Sequence, residues 1–98
     1  MLPDNKMFND TEWFTYYNDE ELATNHMNQL ETSLQNYPVE FSIDKNAHNE
    51  DYLLLIKIPG QINNREYDAI NNIIKNTTGD HYDGWGAEVH DDNLAAAN

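Results

Sequence analysis

The apolar run Leu53-Leu54-Leu55-Ile56 constrains this chain more than any other stretch. It is far too short to cross a bilayer, which takes about 20 apolar residues as a helix. A polar loop, Lys45 to Glu50, precedes it, and Pro59-Gly60 follows Ile58. The segment Tyr52–Ile58 therefore reads as a strand broken at Pro59-Gly60, apolar enough to lie in the middle of a sheet. The rest of the chain must supply neighbouring strands and a layer to cover them.

Glu12-Trp13-Phe14-Thr15-Tyr16-Tyr17 is dense in strand-favouring residues. Asn18 is placed to cap a helix opening on Asp19-Glu20-Glu21, acids that suit the positive end of a helix dipole. That helix runs to about Leu34, with Ala23, Met27, Leu30 and Leu34 on one face. After Pro38, Val39, Phe41 and Ile43 alternate with Glu40, Ser42 and Asp44, the pattern of a half-buried strand. Asn63 and Glu66 stand at capping-box spacing before a second helix whose stripe is Tyr67, Ile70, Ile73 and Ile74. Gly79 fits its C-cap. In His81-Tyr82-Asp83-Gly84-Trp85-Gly86-Ala87-Glu88-Val89, Asp-Gly signals a tight turn, and a last strand begins near Trp85.

The order β-α-β-β-α-β predicts an α+β, ferredoxin-like fold: a four-stranded antiparallel sheet with two helices on one face. Ninety-eight residues make one domain, expected over 10–92, with a flexible segment at 1–9 and a disordered tail at 93–98. Trp85 is expected to fill the end of a small core, and as a tryptophan it is also the type that anchors interfaces.

Eighteen acids against five bases give a net charge of −13. Such a surface repels phosphate backbones and anionic lipid, so neither direct nucleic-acid binding nor a membrane is expected. A protein with a basic surface is the natural partner, although acidity also keeps any small domain soluble. The first residues lack the charged-then-apolar order of a signal peptide, and cysteine is absent, which fits a cytoplasmic protein.

No cofactor, metal or catalytic constellation is expected. So many acids make chance carboxylate pairs, and none adjoins a nucleophile motif. His81 and His90, with Asp83 and Asp91, stand at opposite ends of the last strand, roughly 30 Å apart at about 3.3 Å per residue, too far for one ion. His26 reads as a surface or boundary residue of the first helix, and His48 as a loop residue. Alternation puts Trp13, Thr15 and Tyr17 on one side of the first strand and Phe14 and Tyr16 on the other. Trp13, Leu53 and Leu55 are expected on the face the helices leave open, an apolar patch rimmed by acids that suits a protein partner, a second copy as a homodimer, or cover by the N-terminal segment with Met7 and Phe8 folding over it. The expected partner-binding residues are thus Trp13, Leu53 and Leu55 with the exposed acids Glu20, Glu21 and Asp83.

The chain resembles the ribonuclease E inhibitor family, the regulator-B type of ribonuclease regulators, in three places: the aromatic strand running into an acidic helix start (Trp13 to Ala23), the apolar strand Tyr52–Ile58 before a second amphipathic helix, and the signature turn Tyr82, Asp83, Gly84, Trp85, Gly86. The resemblance implies a ferredoxin-like fold and a non-catalytic role, binding an RNA-processing endonuclease of the ribonuclease E type and lowering its cleavage of RNA. The family's best-known member carries an acidic C-terminal extension, where this chain offers only His90-Asp91-Asp92 between Val89 and the 93–98 tail. An alternative from charge and size is an acidic nucleic-acid mimic, an anti-restriction or anti-CRISPR-type inhibitor whose carboxylates imitate phosphates.

Overall fold

The computed structural model describes residues 7–46 and 50–90. The expectations for His48, for Asp91 and for the 93–98 tail concern residues outside the described ones, and so does the side chain of His90. The elements are β1 (Met7–Tyr17), α1 (Glu20–Ser33), β2 (Glu40–Lys45), β3 (Tyr52–Asn63), α2 (Asn64–Thr78), a short 3-10 turn (Gly79–His81) and β4 (Tyr82–His90). The strands form one sheet in the order β2-β3-β1-β4, every pair antiparallel, with both helices packed on one face. This is the ferredoxin-like arrangement. The apolar strand β3 does lie inside the sheet.

The core forms where the inward residues of the strands meet the apolar stripes of the helices. Trp13 and Tyr17 of β1 and Leu54, Ile56 and Ile58 of β3 are buried against Ala23 and Leu30 of α1, Leu34 at its end, and Ile70 and Ile74 of α2. Burying each such aliphatic side chain contributes about 1.5–3 kcal/mol. Phe41 and Ile43 of β2 face the same way but stay half-buried at the sheet's edge.

Local chemistry fixes the helix ends. Asn63 Oδ1 accepts from Glu66 N at 2.8 Å and Glu66 Oε1 accepts from Asn63 N at 3.0 Å, the expected capping box. Gly79 closes α2 at φ 56°, a backbone that glycine adopts without steric cost. On α1 the cap is Asp19, not Asn18: its Oδ1 accepts from Glu21 N at 3.0 Å. Both residue types cap well, and the extended backbone before the helix ends one residue later than expected.

Three further expectations are corrected. The strand β1 starts at Met7, and Phe8 belongs to the core, so the sheet reaches into the segment expected to be flexible. Pro59-Gly60 does not end β3. The register shifts there, with Asp10 (φ 51°) opposite Pro59 and Gly60 (φ 87°), and Asp10 Oδ1 accepts from Gly60 N at 2.9 Å. The pair makes a bulge, after which Phe8 and Ile62 regain the buried face. The tight turn falls at Gly79–His81, so Tyr82 to Gly86 runs as strand. A register shift between Phe14 and Thr15 leaves Asp83 as the extra residue of β4.

Candidate functional site

Between the Asp10 bulge and the Tyr17 end of β1, the face of the sheet turned away from the helices carries three cross-strand rows. The first is Glu40, Lys57, Glu12 and Gly86, the second Ser42, Leu55, Phe14 and Gly84, and the third Asp44, Leu53 and Tyr16. Read down the strands, β2 offers two carboxylates and a hydroxyl, β3 and β1 offer four apolar side chains, and β4 offers two glycines. Phe14, Leu53 and Leu55 are half-buried and Tyr16 is 38% exposed, although no described element covers them. They shield one another, as facing pairs on neighbouring strands do. A Cβ on Gly86 would stand 4.0 Å from Phe14 Cε2, which shows the ring leaning toward the bare backbone of β4. The result is an apolar platform two rows deep, with a charged row at one end and acids along one side.

Trp13 is not part of it. It is fully buried on the helix face, opposite Ile56 on β3 and Trp85 on β4, and its Nε1 donates to Asn71 Oδ1 of α2 at 3.2 Å. The expected alternation along β1 holds, but the two faces were exchanged: Phe14 and Tyr16, not Trp13, join Leu53 and Leu55. Tyr82 OH donates to the same Asn71 oxygen at 3.0 Å, so one amide ties α2 to both β1 and β4. Glu20 and Glu21 sit exposed in the first turn of α1, in the helix layer, apart from Leu53 and Leu55. Asp83 is exposed at the β4 irregularity. Trp85 caps the core end without filling it. Its ring lies 4.5 Å from Tyr67 and meets Phe8 edge-on at 5.5 Å, yet 38% of it stays exposed.

A second grouping appears where β1 ends, and the chain's local patterns carry no sign of it. Tyr17 OH is hydrogen-bonded to His26 Nδ1 at 2.7 Å, and the Tyr17 ring stacks on His81 at 4.2 Å. His81 Nδ1 donates to the Tyr16 carbonyl at 2.9 Å, which places its proton on that nitrogen. The two imidazoles lie 5.9 Å apart. Burial lowers the His26 pKa, and the nearby His81 adds to the effect. Burial also pushes the Tyr17 phenol up to about 12, against an opposing hydrogen bond from Thr15. A phenol so hard to ionise is a poor base at neutral pH. Among the described residues no three His, Asp or Glu side chains cluster as metal ligands. The group works as a joint between β1, α1 and the turn before β4, beside a hollow of about 210 Å³ lined by Tyr16, Tyr17, Asn18, Asp51 and His81. Only the fold brings positions 17, 26 and 81 together.

No helix among the described residues is long and apolar enough to cross a membrane. No protein-family model matches the chain, and no curated protein matches it. Among solved structures, a de novo designed protein, Foldit4, is similar at 15% identity over 87% of this chain and 93% of that one, with a TM-score of 0.45.

Proposed function

We propose that this chain is a non-catalytic, acidic regulatory domain that works in the cytoplasm by binding a protein with a basic surface. The observation that supports this reading is the apolar platform of Phe14, Tyr16, Leu53 and Leu55 with Glu40 and Asp44 alongside. Apolar side chains left uncovered on a sheet and bordered by charge are the usual make-up of a protein interface. A net charge of −13 speeds encounter with a basic partner and disfavours nucleic acid, even though aromatics on central strands otherwise suit base stacking. The resemblance to ribonuclease E inhibitors makes an RNA-processing endonuclease the specific partner to test first. The mimic reading has less support: the acids on this face are interrupted by Lys57 and do not line up as a run of phosphates.

The test is affinity purification from native lysate over a salt series, alongside binding to a ribonuclease E-type endonuclease and its RNA cleavage rate. Steered docking should weaken between low and physiological salt, mainly through slower association. Glu40→Lys with Asp44→Lys should reproduce the loss, and Glu20→Lys with Glu21→Lys should affect it less. Binding indifferent to salt and to all four reversals would reduce the acidity to a solubility device. An endonuclease that neither binds nor slows would remove that partner.

A further inference from the structure

Resting on the reading of the open sheet face as a protein-binding surface, we infer that its occupant is a short amphipathic α-helix of the partner, with an apolar stripe and Lys or Arg along one flank. The platform dictates the shape. Neighbouring strands lie about 4.8 Å apart, and a helix with its side chains is about 10 Å across. One helix therefore covers β3 and β1, the two strands that carry Leu53, Leu55, Phe14 and Tyr16. Successive residues on one face of a strand are roughly 6.8 Å apart, close to the ~6 Å between helix positions i and i+4, so two rows match two turns. The row Glu40-Lys57-Glu12 ends the platform at one side, which keeps the contact short.

Backbone chemistry favours a helix over an extended peptide. An extended segment laid across this face would press its own unpaired N–H and C=O groups onto apolar side chains, whereas a helix satisfies them internally. Adding a strand would need a sheet edge instead: β2 is a six-residue edge whose open-face residues include Glu40 and Asp44, and β4, the other edge, is broken by the extra residue Asp83, features that discourage pairing. The two borders of the platform then set the orientation. On one side Glu40 and Asp44 stand four residues apart, roughly 13 Å, matching cationic side chains about two turns apart on the helix. On the other side Gly84 and Gly86 contribute no side chains of their own, so a helix can approach β4 closely there. The cationic flank must therefore face β2. A second copy of this chain is disfavoured because two molecules of net charge −13 repel each other.

The experiment titrates the full chain, labelled for amide NMR, with a synthetic peptide of about fourteen residues, roughly 21 Å as a helix. The peptide has leucines at helical spacing, arginines along one flank and alanine elsewhere. Controls are the same peptide with two central prolines and one with glutamate replacing arginine. The protein variant that separates shape from charge is Gly86→Gln. Its backbone has no positive φ, and a Cβ there makes only ordinary contact, so the fold should hold at an unchanged Tm. The helical basic peptide should shift Phe14, Tyr16, Leu53, Leu55 and Gly86. Gly86→Gln should weaken it by about tenfold or more, and the proline and glutamate peptides should lose binding to a similar or larger extent. Equal binding by the proline peptide at the same residues would overturn the helix while leaving the face as a docking surface. Shifts spread over other acids and insensitive to Gly86→Gln would overturn the helix inference as bulk charge attraction. If the face residues respond to no peptide and the free chain sediments as a dimer that Gly86→Gln splits, the face belongs to a second copy and both readings fail.

Discussion

Leu54 and Leu55 are neighbours in the chain with opposite surroundings. Leu54 is fully buried among the helices, opposite Thr15 on β1 and Ile43 on β2, and its carbonyl accepts from the Thr15 hydroxyl at 2.9 Å. Leu55 stands on the other side of the same strand between Phe14 and Ser42, half-buried, with no described element above it. The helix face resembles a protein interior, with aromatic contacts, long-range hydrogen bonds and no exposed edge on its central strands. The open face has the same kind of side chains without the covering layer. Apolar residues are spent on both sides of the sheet, but only one side needs them to fold.

Substitutions should separate the two faces most clearly at the first strand. Trp13→Ala should cost about 3–5 kcal/mol, a large part of the 5–15 kcal/mol typical of a domain, and Phe14→Ala, half-buried with no helix above it, should cost clearly less, about 1–2 kcal/mol. Urea denaturation followed by circular dichroism checks both. A Phe14→Ala loss as large as that of Trp13→Ala would mean the open face is part of the core. Trp85→Ala, at a rim residue that is 38% exposed, belongs near the Phe14 value at about 2 kcal/mol.

A smaller contrast lies within the helix face. Thr11 and Thr15 are both fully buried on β1, but Thr11 Oγ1 has no hydrogen-bond partner among the described residues. Thr11→Val removes an unsatisfied hydroxyl and should stabilise by about 1 kcal/mol, and Thr15→Val should destabilise by about as much. Equal destabilisation in calorimetry would indicate a partner for Thr11, such as an ordered water.

The joint at the end of β1 should show in pH dependence. The His26 pKa is lowered from 6.5 in the folded state, so below about pH 6.5 the unfolded chain takes up a proton that the folded chain resists. This contribution is complete above pH 6.5 and is lost as pH falls through that value toward the folded pKa. His81 and Tyr17 are the titratable groups packed on it. Because the many carboxylates also titrate, the readout is the difference between the wild type and His26→Gln in urea midpoint from pH 7.5 to 5.5. The wild type should lose more, and parallel curves would remove His26 from the account.

Periodicity within a segment was legible in the chain, and pairing between segments was not. The two helical stripes, the Asn63–Glu66 capping box and the alternation of β1 depend on residues a few positions apart. Whether Trp13 or Phe14 faces the helices depends on the register of β1 against β3, which sets Trp13 opposite the buried Ile56 and Phe14 opposite Leu55, some forty residues away. Asp83-Gly84 has the local chemistry of a turn, yet pairing with Phe14 drew it into a strand. Alternation along β3 puts Leu53 and Leu55 on the open face, and only the strand pairing shows that Phe14 and Tyr16 stand beside them there.

The division between the faces is tested most directly by Leu54→Ala and Leu55→Ala in one urea series. The two changes remove the same atoms from adjacent positions of one strand. Leu54→Ala should lower stability by about 2–5 kcal/mol, and Leu55→Ala by clearly less, about 1–2 kcal/mol, in keeping with its half-buried side chain. Equal losses would contradict the account, because they would mean that something in the folded chain covers Leu55 and that the face is not free to bind.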